Sequence, residues 1–311
     1  MSVLAARAET SRRRTAQREA TSRTLISTAQ LNRPSSKRVY RIVLILVVVV
    51  FTLVFIGPLY FLFTDGLKST QEAGQVPPTF FPAHIHPSTY VTAWNTLSVG
   101  RLMFNTIYYA FGALAFQLIF DVAAAYAFSK LRPVLGNAIF AMMLATLMIP
   151  STVLIVPQYL TVANLPILHV NLIGTPEAIW LPAVANAFNI FLLKRFFDSI
   201  PAELMDAAAI DGASPLRALR SIVLPISRPI LGVVTIFGFV AVWKDFLWPL
   251  LVESGYTPTR ETINVGITGA TTTPVNLIIA ASAMAAIPTI VFFLIFQRNI
   301  LSGLTAGGLK G

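Results

Sequence analysis

The stretch Glu203–Pro225 reads ELMDAAAIDGASPLRALRSIVLP and lies between two strongly apolar segments of the chain. Pro201 precedes it at a place that a first helical turn tolerates. Gly212 predicts a left-handed stop for this first helix. At 100° per residue, three acidic side chains share an arc of about 140° on the helix; they are Glu203, Asp206 and Asp211. The stretch therefore predicts a short helix with one acidic face.

A second short helix follows the glycine directly. Ser214 and Pro215 have the residue types of an N-cap and a first helical position, and Pro225 is predicted to limit the helix further on. Arg217 and Arg220 give it positive charge. A polar helix-turn-helix between apolar segments indicates a docking element, with a small solvated hairpin of a membrane protein as the alternative.

The order Asp206-Ala207-Ala208, Asp211-Gly212-Ala213 and Leu224-Pro225 closely resembles the EAA loop of ABC-importer permease subunits. In that family the loop, here 199–225, is a coupling helix seated in a groove of the cytoplasmic ATPase. The usual Glu of the motif is Asp206 here, and this shorter acid could shift the docking geometry. The resemblance implies these ATPase-coupling residues: Glu203, Asp206, Ala207, Ala208, Asp211, Gly212, Ala213, Arg217 and Arg220.

Composition indicates an integral membrane protein, and the spans below together with the resemblance predict that it is all-α. Of the 311 residues, 55% are hydrophobic and 12% are charged, and the mean hydropathy is +0.72. Stretches near the length needed to cross a bilayer predict six transmembrane helices in a permease domain over 42–297. The predicted spans are approximately 42–64, 105–129, 137–160, 174–196, 227–250 and 275–297.

The distribution of positive charge predicts the orientation. Six crossings place 19 of the 23 Lys and Arg residues on one side, so the positive-inside rule makes both termini and the loop 199–225 cytoplasmic. The net charge of +10 is thus a topology signal and does not indicate nucleic-acid binding. We expect the basic leader 1–41 to be a disordered, solvated tail. A transit peptide and a tail held by anionic lipid are the alternatives.

Polar side chains inside the predicted spans are candidates for a solute path. Asn186 and Asn189 lie three residues apart in the fourth span, and therefore on one face. Asp121 lies within the second span, with Gln117 one turn before it. Hydrogen bonds that hold the helices together are the alternative role. We expect Asp121 to be structural and offer the asparagine pair as solute-facing.

In the resembled fold the fourth and fifth spans border the pathway, which adds Trp243 and Asp245 to the candidates. The sequence Trp243-Lys244-Asp245-Phe246 stands where carbohydrate permeases often have Trp-Asn-Asp/Glu-Phe. Lys244 departs from that pattern and weakens any substrate assignment taken from relatives. Disaccharides, oligosaccharides, glycerol phosphoesters and other polyols remain open.

The C-terminal segment 298–311 resembles the tail of the second permease of maltose-type carbohydrate importers, which reaches between two ATPase subunits. A flexible, solvated end is the alternative. The tail residues implied to contact the ATPases are Thr305, Gly307, Gly308 and Lys310. The glycine spacing of Gly303–Gly308 also suggests a phosphate-binding loop, but Leu309 stands where that motif needs Lys.

Enzyme chemistry is not predicted. The chain has no cysteine, and its three histidines (His84, His86 and His169) fall in predicted loops without a carboxylate cluster, so we expect no metal site. No nucleophile–base arrangement and no paired catalytic carboxylates are evident. We therefore expect no catalytic residues and no cofactor bound by this chain.

These observations predict the transmembrane permease subunit of an ATP-driven ABC importer for a carbohydrate or polyol, with the type I importer fold. Its implied partners are a sister permease, two copies of an ABC ATPase that hold ATP and Mg, an extracytoplasmic solute-binding protein, and membrane lipid. The expected location is the bacterial plasma membrane. The alternative is a self-sufficient secondary transporter or channel, which should show carboxylates in several spans; only Asp121 qualifies.

Overall fold

The computed structural model describes residues 34–253, 255 and 258–308, and the regular structure within them is helical. The α-helices are α1 (Pro34–Asp65), α2 (Thr70–Ala73), α3 (Ser88–Thr96), α4 (Val99–Tyr126), α5 (Gly136–Ala145), α6 (Ile155–Ala163), α7 (Glu177–Trp180), α8 (Ala187–Asp198), α9 (Ala202–Ile210), α10 (Pro215–Ala218), α11 (Leu224–Ile226), α12 (Arg228–Trp243), α13 (Leu247–Val252), α14 (Ile263–Gly269) and α15 (Val275–Gly308). Two π-helical turns, Ala127–Leu131 and Leu219–Val223, extend α4 and join α10 to α11.

The chain divides into two compact units, one ending at Phe61 and the other beginning at Leu62. The described part of the first unit is helix α1 up to that boundary. Its sequence is apolar on every face, which is typical of a helix that spans a membrane. The rings of Phe51 and Phe55, one helical turn apart, stack with their centroids 6.1 Å apart. The elements from α2 onward belong to the second unit.

Three segments of the described chain are long and apolar enough to cross a membrane, namely Lys37–Asp65, Val99–Leu131 and Val275–Arg298. Two bent pairs raise the number to as many as five: Gly136–Met148 with Ser151–Ala163 at 101°, and Pro215–Ile226 with Arg228–Trp243 at 84°. The predicted span 174–196 is interrupted at 181–186, between α7 and α8. The number of six crossings therefore stays a prediction.

Helices α4, α12, α14 and α15 enclose the largest apolar cluster of the second unit. Phe239 of α12 lies at its centre, stacked on Phe292 with ring centroids 4.0 Å apart and on Trp243 with centroids 5.4 Å apart. The indole N–H of Trp243 donates to the Ala285 carbonyl at 3.2 Å. Aromatic packing and one hydrogen bond thus join α12 to α15.

A second cluster joins the end of α4 to α8 and the start of α12. Leu193, Phe197, Val223 and Val234 are fully buried in it. Inside a membrane the lipid is as apolar as these side chains, so they stabilise the contact between the helices mainly by close van der Waals packing. This cluster supports the segment 199–225, because Val223 belongs to that segment and packs among residues of the long helices.

Helix α7 packs on α4 at a glycine. A Cβ atom added to Gly112 would lie 2.3 Å from Cε2 of Trp180, so only glycine allows this approach. The Trp180 ring also contacts Tyr108 and Phe116, with centroids 5.2 and 5.9 Å away. Helix α4 runs unbroken through Gly112, so this glycine serves as a packing site and not as a kink.

Polar contacts hold the segment between α1 and α4 against α15. The Thr70 hydroxyl donates to Asn276 Oδ1 at 2.9 Å, and the Asn276 amide donates to the Lys68 carbonyl at 3.2 Å. The Glu72 carboxylate accepts from the Ala83 N–H at 3.0 Å. This last bond lowers the pKa of the Glu72 carboxyl. The segment between α1 and α4 is therefore an ordered part of the fold that packs against α15.

Candidate functional site

The first half of the predicted docking element is helix α9, and it ends as the sequence predicts. Gly212 has φ +71°, its N–H donates to the Ala209 carbonyl at 3.0 Å, and the Ala213 N–H donates to the Ala208 carbonyl at 2.9 Å. These two bonds form a Schellman motif. Pro201 lies one residue earlier than predicted, as the N-cap of α9.

The second half begins at the predicted cap. Ser214 Oγ accepts from the Arg217 N–H at 3.3 Å, and Pro215 occupies the first helical position. Pro225 does not end the helical run, which continues to Ile226. The π turn Leu219–Val223 comes directly before Leu224 and Pro225. The altered hydrogen-bond spacing of a π turn accommodates Pro225, which has no backbone N–H to donate. The chain then bends by 84° into α12.

The outer face of this element combines apolar and charged side chains. Ile210 is 87% exposed, and Leu204 and Leu216 are 42% and 55% exposed. Among the predicted coupling residues, Ala208 is buried and Ala213 is half-buried. The others are exposed: Glu203, Asp206, Ala207, Asp211, Gly212, Arg217 and Arg220. An exposed apolar patch flanked by charges is typical of a protein–protein contact surface.

Hydrogen bonds fix the base of the element to the ends of α4 and α8. The Tyr126 hydroxyl donates to the Pro215 carbonyl at 3.0 Å, and the Lys130 ammonium donates to the Ile200 carbonyl at 3.0 Å. The Ser129 hydroxyl donates to Asp198 Oδ1 at 2.7 Å. The element is thus attached at its entry and just after its turn to the ends of α4 and α8.

A cavity of about 350 Å³ lies in the second unit where several helices are interrupted. The break at 181–186 contributes Asn186, the break after α12 contributes Asp245, and the bend between α5 and α6 contributes Ser151 and Thr152. Helix α4 contributes Gln117. The other lining residues are Ile155, Gln158, Ile179, Pro182, Ala183, Ala185, Gly238, Ala241, Val242, Leu247, Trp248 and Pro249.

Gln117 is 5% exposed, and its amide makes no hydrogen bond within the described part of the chain. It also lines the cavity. A Cβ atom on Gly238 would lie 2.4 Å from Gln117 Oε1, so the amide is held closely against α12. Because Gln117 lines the cavity and forms no hydrogen bond with the described residues, its amide donors and acceptor are available to a molecule in the cavity.

The predicted amide pair does not present two parallel side chains. Asn186 Oδ1 accepts from the Asn189 N–H at 3.1 Å and caps α8, while the Asn186 N–H donates to Asp121 Oδ1 at 2.9 Å. Asn186 still lines the cavity, whereas Asn189 is 2% exposed and does not. The interruption before α8 explains the difference, because only Asn189 lies within the helix.

The two candidates from the fifth predicted span, Trp243 and Asp245, differ in whether they line the cavity. Trp243 is buried in the apolar core and does not line the cavity. Asp245 lines it and accepts from the Trp248 N–H at 3.5 Å. Lys244, the departure from the carbohydrate-permease pattern, is exposed and outside the lining.

Comparisons with known proteins identify the family to which the chain belongs. A family described as "Binding-protein-dependent transport system inner membrane component" matches residues 121–304, more than half of the chain. The chain belongs to this family. The permease is 32% identical over 262 residues to the sn-glycerol-3-phosphate transport system permease protein UgpE of Salmonella typhi, covering 81% of this chain and 91% of the relative. It is 31% identical over 287 residues to UgpE of Rhizobium meliloti, covering 88% and 97%.

A solved structure shares the fold of the permease. It is described as a bacterial ABC transporter involved in the import of the acidic polysaccharide alginate. The TM-score is 0.70 at 24% identity, with 86% of this chain and 98% of the other covered. The permease is therefore an integral inner membrane subunit of a binding-protein-dependent ABC importer with an importer-permease fold. It is a transport subunit and not an enzyme, and the alternative of a self-sufficient transporter does not apply.

Sequence reasoning missed several polar residues of the cavity of this permease. Gln158, Ser151 and Thr152 line it but were not singled out. Gln158 carried a signal, because an amide inside the apolar stretch 137–160 is rare. Trp248 also lines the cavity, and its indole N–H donates to the Ala178 carbonyl at 2.9 Å.

The predicted C-terminal contacts of the permease fall at the edge of the described residues. The backbone is helical through Gly308 as part of α15, so Thr305, Gly307 and Gly308 continue the last apolar helix. Lys310 lies outside the described residues, as do residues 1–33 of the predicted tail 1–41.

Proposed function

We propose that the permease moves a hydroxyl-rich solute by alternating access through the cavity between its interrupted helices. The observation that carries the proposal is the convergence of three helix interruptions and the unpaired Gln117 amide on one cavity. At membrane depth, broken helices are tolerated only where they are buried in protein or line a cavity, and transporters place solute sites at such breaks. The cavity would open alternately to each side of the membrane at the interface with a sister permease.

The lining supports an uncharged solute. Among the described residues that line the cavity, Asp245 is the one charged side chain, and Lys, Arg and His are absent. Amides and hydroxyls at Gln117, Gln158, Asn186, Ser151 and Thr152 offer both donors and acceptors, as sugar hydroxyls require. UgpE and the alginate transporter are named for anionic solutes. For this permease we propose a neutral sugar or polyol.

The segment 199–225 is proposed as the coupling element that docks on the ATPase. Its exposed apolar side chains, Leu204, Ile210 and Leu216, suit the groove of a partner protein. The acidic face of α9 and the two arginines after Gly212 would fix the orientation of docking. Two ATPase copies would hold ATP and Mg, and their closure would reach α12 through the bend at Ser227.

The remaining features of the assembly follow from the charge distribution. Both termini and the coupling element are proposed to be cytoplasmic, because six crossings would place most Lys and Arg residues on that side. The structured segment between α1 and α4 would then face the solute-binding protein. Its exposed Phe80 and Phe81 offer apolar contact area, although such aromatics also serve as anchors at the membrane surface.

The proposal is tested at Gln117. Gln117→Met keeps the length and approximate volume of the side chain but removes the amide. Because the amide makes no hydrogen bond in the described part of the chain, we expect unchanged complex yield and thermal stability. Uptake of the solute and solute-stimulated ATP hydrolysis by the reconstituted complex should each fall by about five- to tenfold, the value of one lost hydrogen bond to the solute.

Leu118→Met is the matched control, because Leu118 packs on the apolar clusters and does not line the cavity. It should retain uptake. Normal uptake by a well-assembled Gln117→Met complex would show that solute does not pass this amide.

A further inference from the structure

We propose that a second pocket, at the turn between α4 and α5, binds the headgroup of an anionic phospholipid. The pocket has a volume of about 550 Å³. It is separate from the solute cavity, with which it shares no lining residue. Its walls are Phe128, Ser129, Lys130, Arg132, Pro133, Val134, Gly136, Asn137, Lys194 and Asp198. The chain therefore forms a polar pocket that the transport cycle proposed above does not use.

The pocket carries an excess of positive charge. Lys130, Arg132 and Lys194 line it together with a single acid, Asp198. Lys194 Nζ lies 2.8 Å from Asp198 Oδ2, so these two charges offset each other. Lys130 donates to a neutral acceptor, the Ile200 carbonyl. The lining thus carries two more positive charges than negative ones, which favours binding of an anion such as a phosphodiester.

Arg132 is positioned for such an anion. Its φ of +48° is rare for a side chain with a Cβ, and the bond from its N–H to the Ala127 carbonyl at 2.8 Å holds this conformation. Its Nε donates to the Ser129 carbonyl at 3.3 Å. Its Nη groups make no hydrogen bond within the described part of the chain. A guanidinium with free Nη donors suits bidentate binding of phosphate oxygens.

The surroundings favour a lipid phosphate over a free anion. Leu131, Val134 and Leu135 are 54%, 103% and 67% exposed beside the pocket. Apolar side chains so exposed at the end of a membrane-spanning helix are matched by acyl chains. A soluble phosphate would leave them in water. Basic pockets at helix ends are a known mode of headgroup binding, and phosphatidylglycerol combines one negative charge with two acyl chains.

A lipid bound here would contact the base of the coupling element. Lys130 joins the pocket to the Ile200 carbonyl, and Asp198 joins it to Ser129. A phosphodiester among these groups would add charge-assisted hydrogen bonds where the chain turns toward α9. We infer that anionic lipid stabilises the assembled complex through this pocket.

The experiment compares lipid binding by the whole complex and its Arg132→Gln variant. Each is reconstituted in phosphatidylcholine nanodiscs with increasing fractions of phosphatidylglycerol, and the thermal midpoint and the lipid retained in native mass spectrometry are measured. Wild type should gain stability with phosphatidylglycerol. Arg132→Gln should need about a fivefold higher fraction for the same gain, the value of one basic residue near an anionic headgroup. Arg132→Lys should recover part of the effect.

Arg195→Gln is the matched control, because Arg195 is an exposed cation of α8 outside the pocket. It should behave as wild type. Equal phosphatidylglycerol dependence of Arg132→Gln and wild type would overturn the proposal. So would equal stabilisation by inorganic phosphate, which would indicate a free-anion site. Loss of the ATPase from Arg132→Gln at unchanged lipid retention would indicate a protein carboxylate as the true partner.

Discussion

At the scale of single residues, Gly212 shows how one backbone conformation shapes the proposed docking surface. Its φ of +71° costs a residue with a Cβ about 1–2 kcal/mol. A Cβ at this position would meet no atom within 4 Å among the described residues. The requirement for glycine is therefore conformational and not steric, and it sets the angle between α9 and α10.

We expect Gly212→Val to abolish coupling while the permease still inserts into the membrane. A β-branched residue disfavours the left-handed region, so the Schellman bonds at Ala208 and Ala209 would break and the second arm would turn away. Uptake and solute-stimulated ATP hydrolysis are measured in reconstituted complexes. Gly212→Asn, which tolerates this conformation, should keep most of both. Full stimulation by a well-inserted valine variant would refute the interpretation.

Replacing Asp245 tests whether the transported solute is neutral or anionic. If the solute is a neutral polyol, Asp245→Asn weakens a charge-assisted hydrogen bond and should lower uptake several-fold. If the solute is an anion, removing the negative charge should raise uptake instead. Transport rates at equal complex yield decide between these outcomes. Glu177→Gln makes the same change in charge at an exposed site outside the cavity and should leave uptake unchanged.

At the scale of helices, periodicity and capping chemistry predicted much of the docking element but not the breaks around the cavity. The stop at Gly212 and the cap at Ser214 follow from local conformational preferences, and both are confirmed. The mean hydropathy of a stretch of sequence does not show where the backbone hydrogen bonds of a helix are interrupted. Proline alone does not mark one either: Pro182 lies in the break before α8, whereas Pro288 lies inside the continuous α15.

The same limit applies to the site residues. Asn186 and Asn189 were placed on one face because a continuous helix was assumed, and the start of α8 at Ala187 separates them. Gln117 was noticed beside Asp121, but its unpaired state depends on the position of Gly238 on another helix. Information of this kind lies in tertiary packing, which no local pattern contains.

The contact between α4 and α7 gives a prediction at this scale. Gly112→Ala would place a methyl group 2.3 Å from the Trp180 ring. We expect a loss of about 1–3 kcal/mol in stability from overpacking, measured as a lower thermal midpoint in detergent. Adding Trp180→Leu should restore part of the loss. Gly269→Ala, whose methyl meets nothing within 4 Å among the described residues, is the control. Equal midpoints for the two single variants would argue against the close approach.

At the scale of the whole molecule, the absence of cysteine makes the orientation directly testable. Single cysteines at two exposed positions, Ala83→Cys and Ser199→Cys, are treated with a membrane-impermeant maleimide. We expect Ala83→Cys to react in intact cells and Ser199→Cys to react only after permeabilisation, since the positive-inside rule places the second position in the cytoplasm. The reverse order would invert the proposed topology and remove the ATPase contact.

The bend at Ser227 gives the permease a mechanical property. Helix α12 has 16 residues, is attached to the docking element at one end and stops beside the cavity at Trp243. A straight helix of this length is a lever arm of about 24 Å, so a tilt of about 10° at Ser227 displaces its far end by about 4 Å. That travel exceeds the width of a water molecule. In the alternating-access cycle proposed above, a small tilt of α12 at the docking element would therefore produce a larger change in the width of the cavity at the other end of the helix.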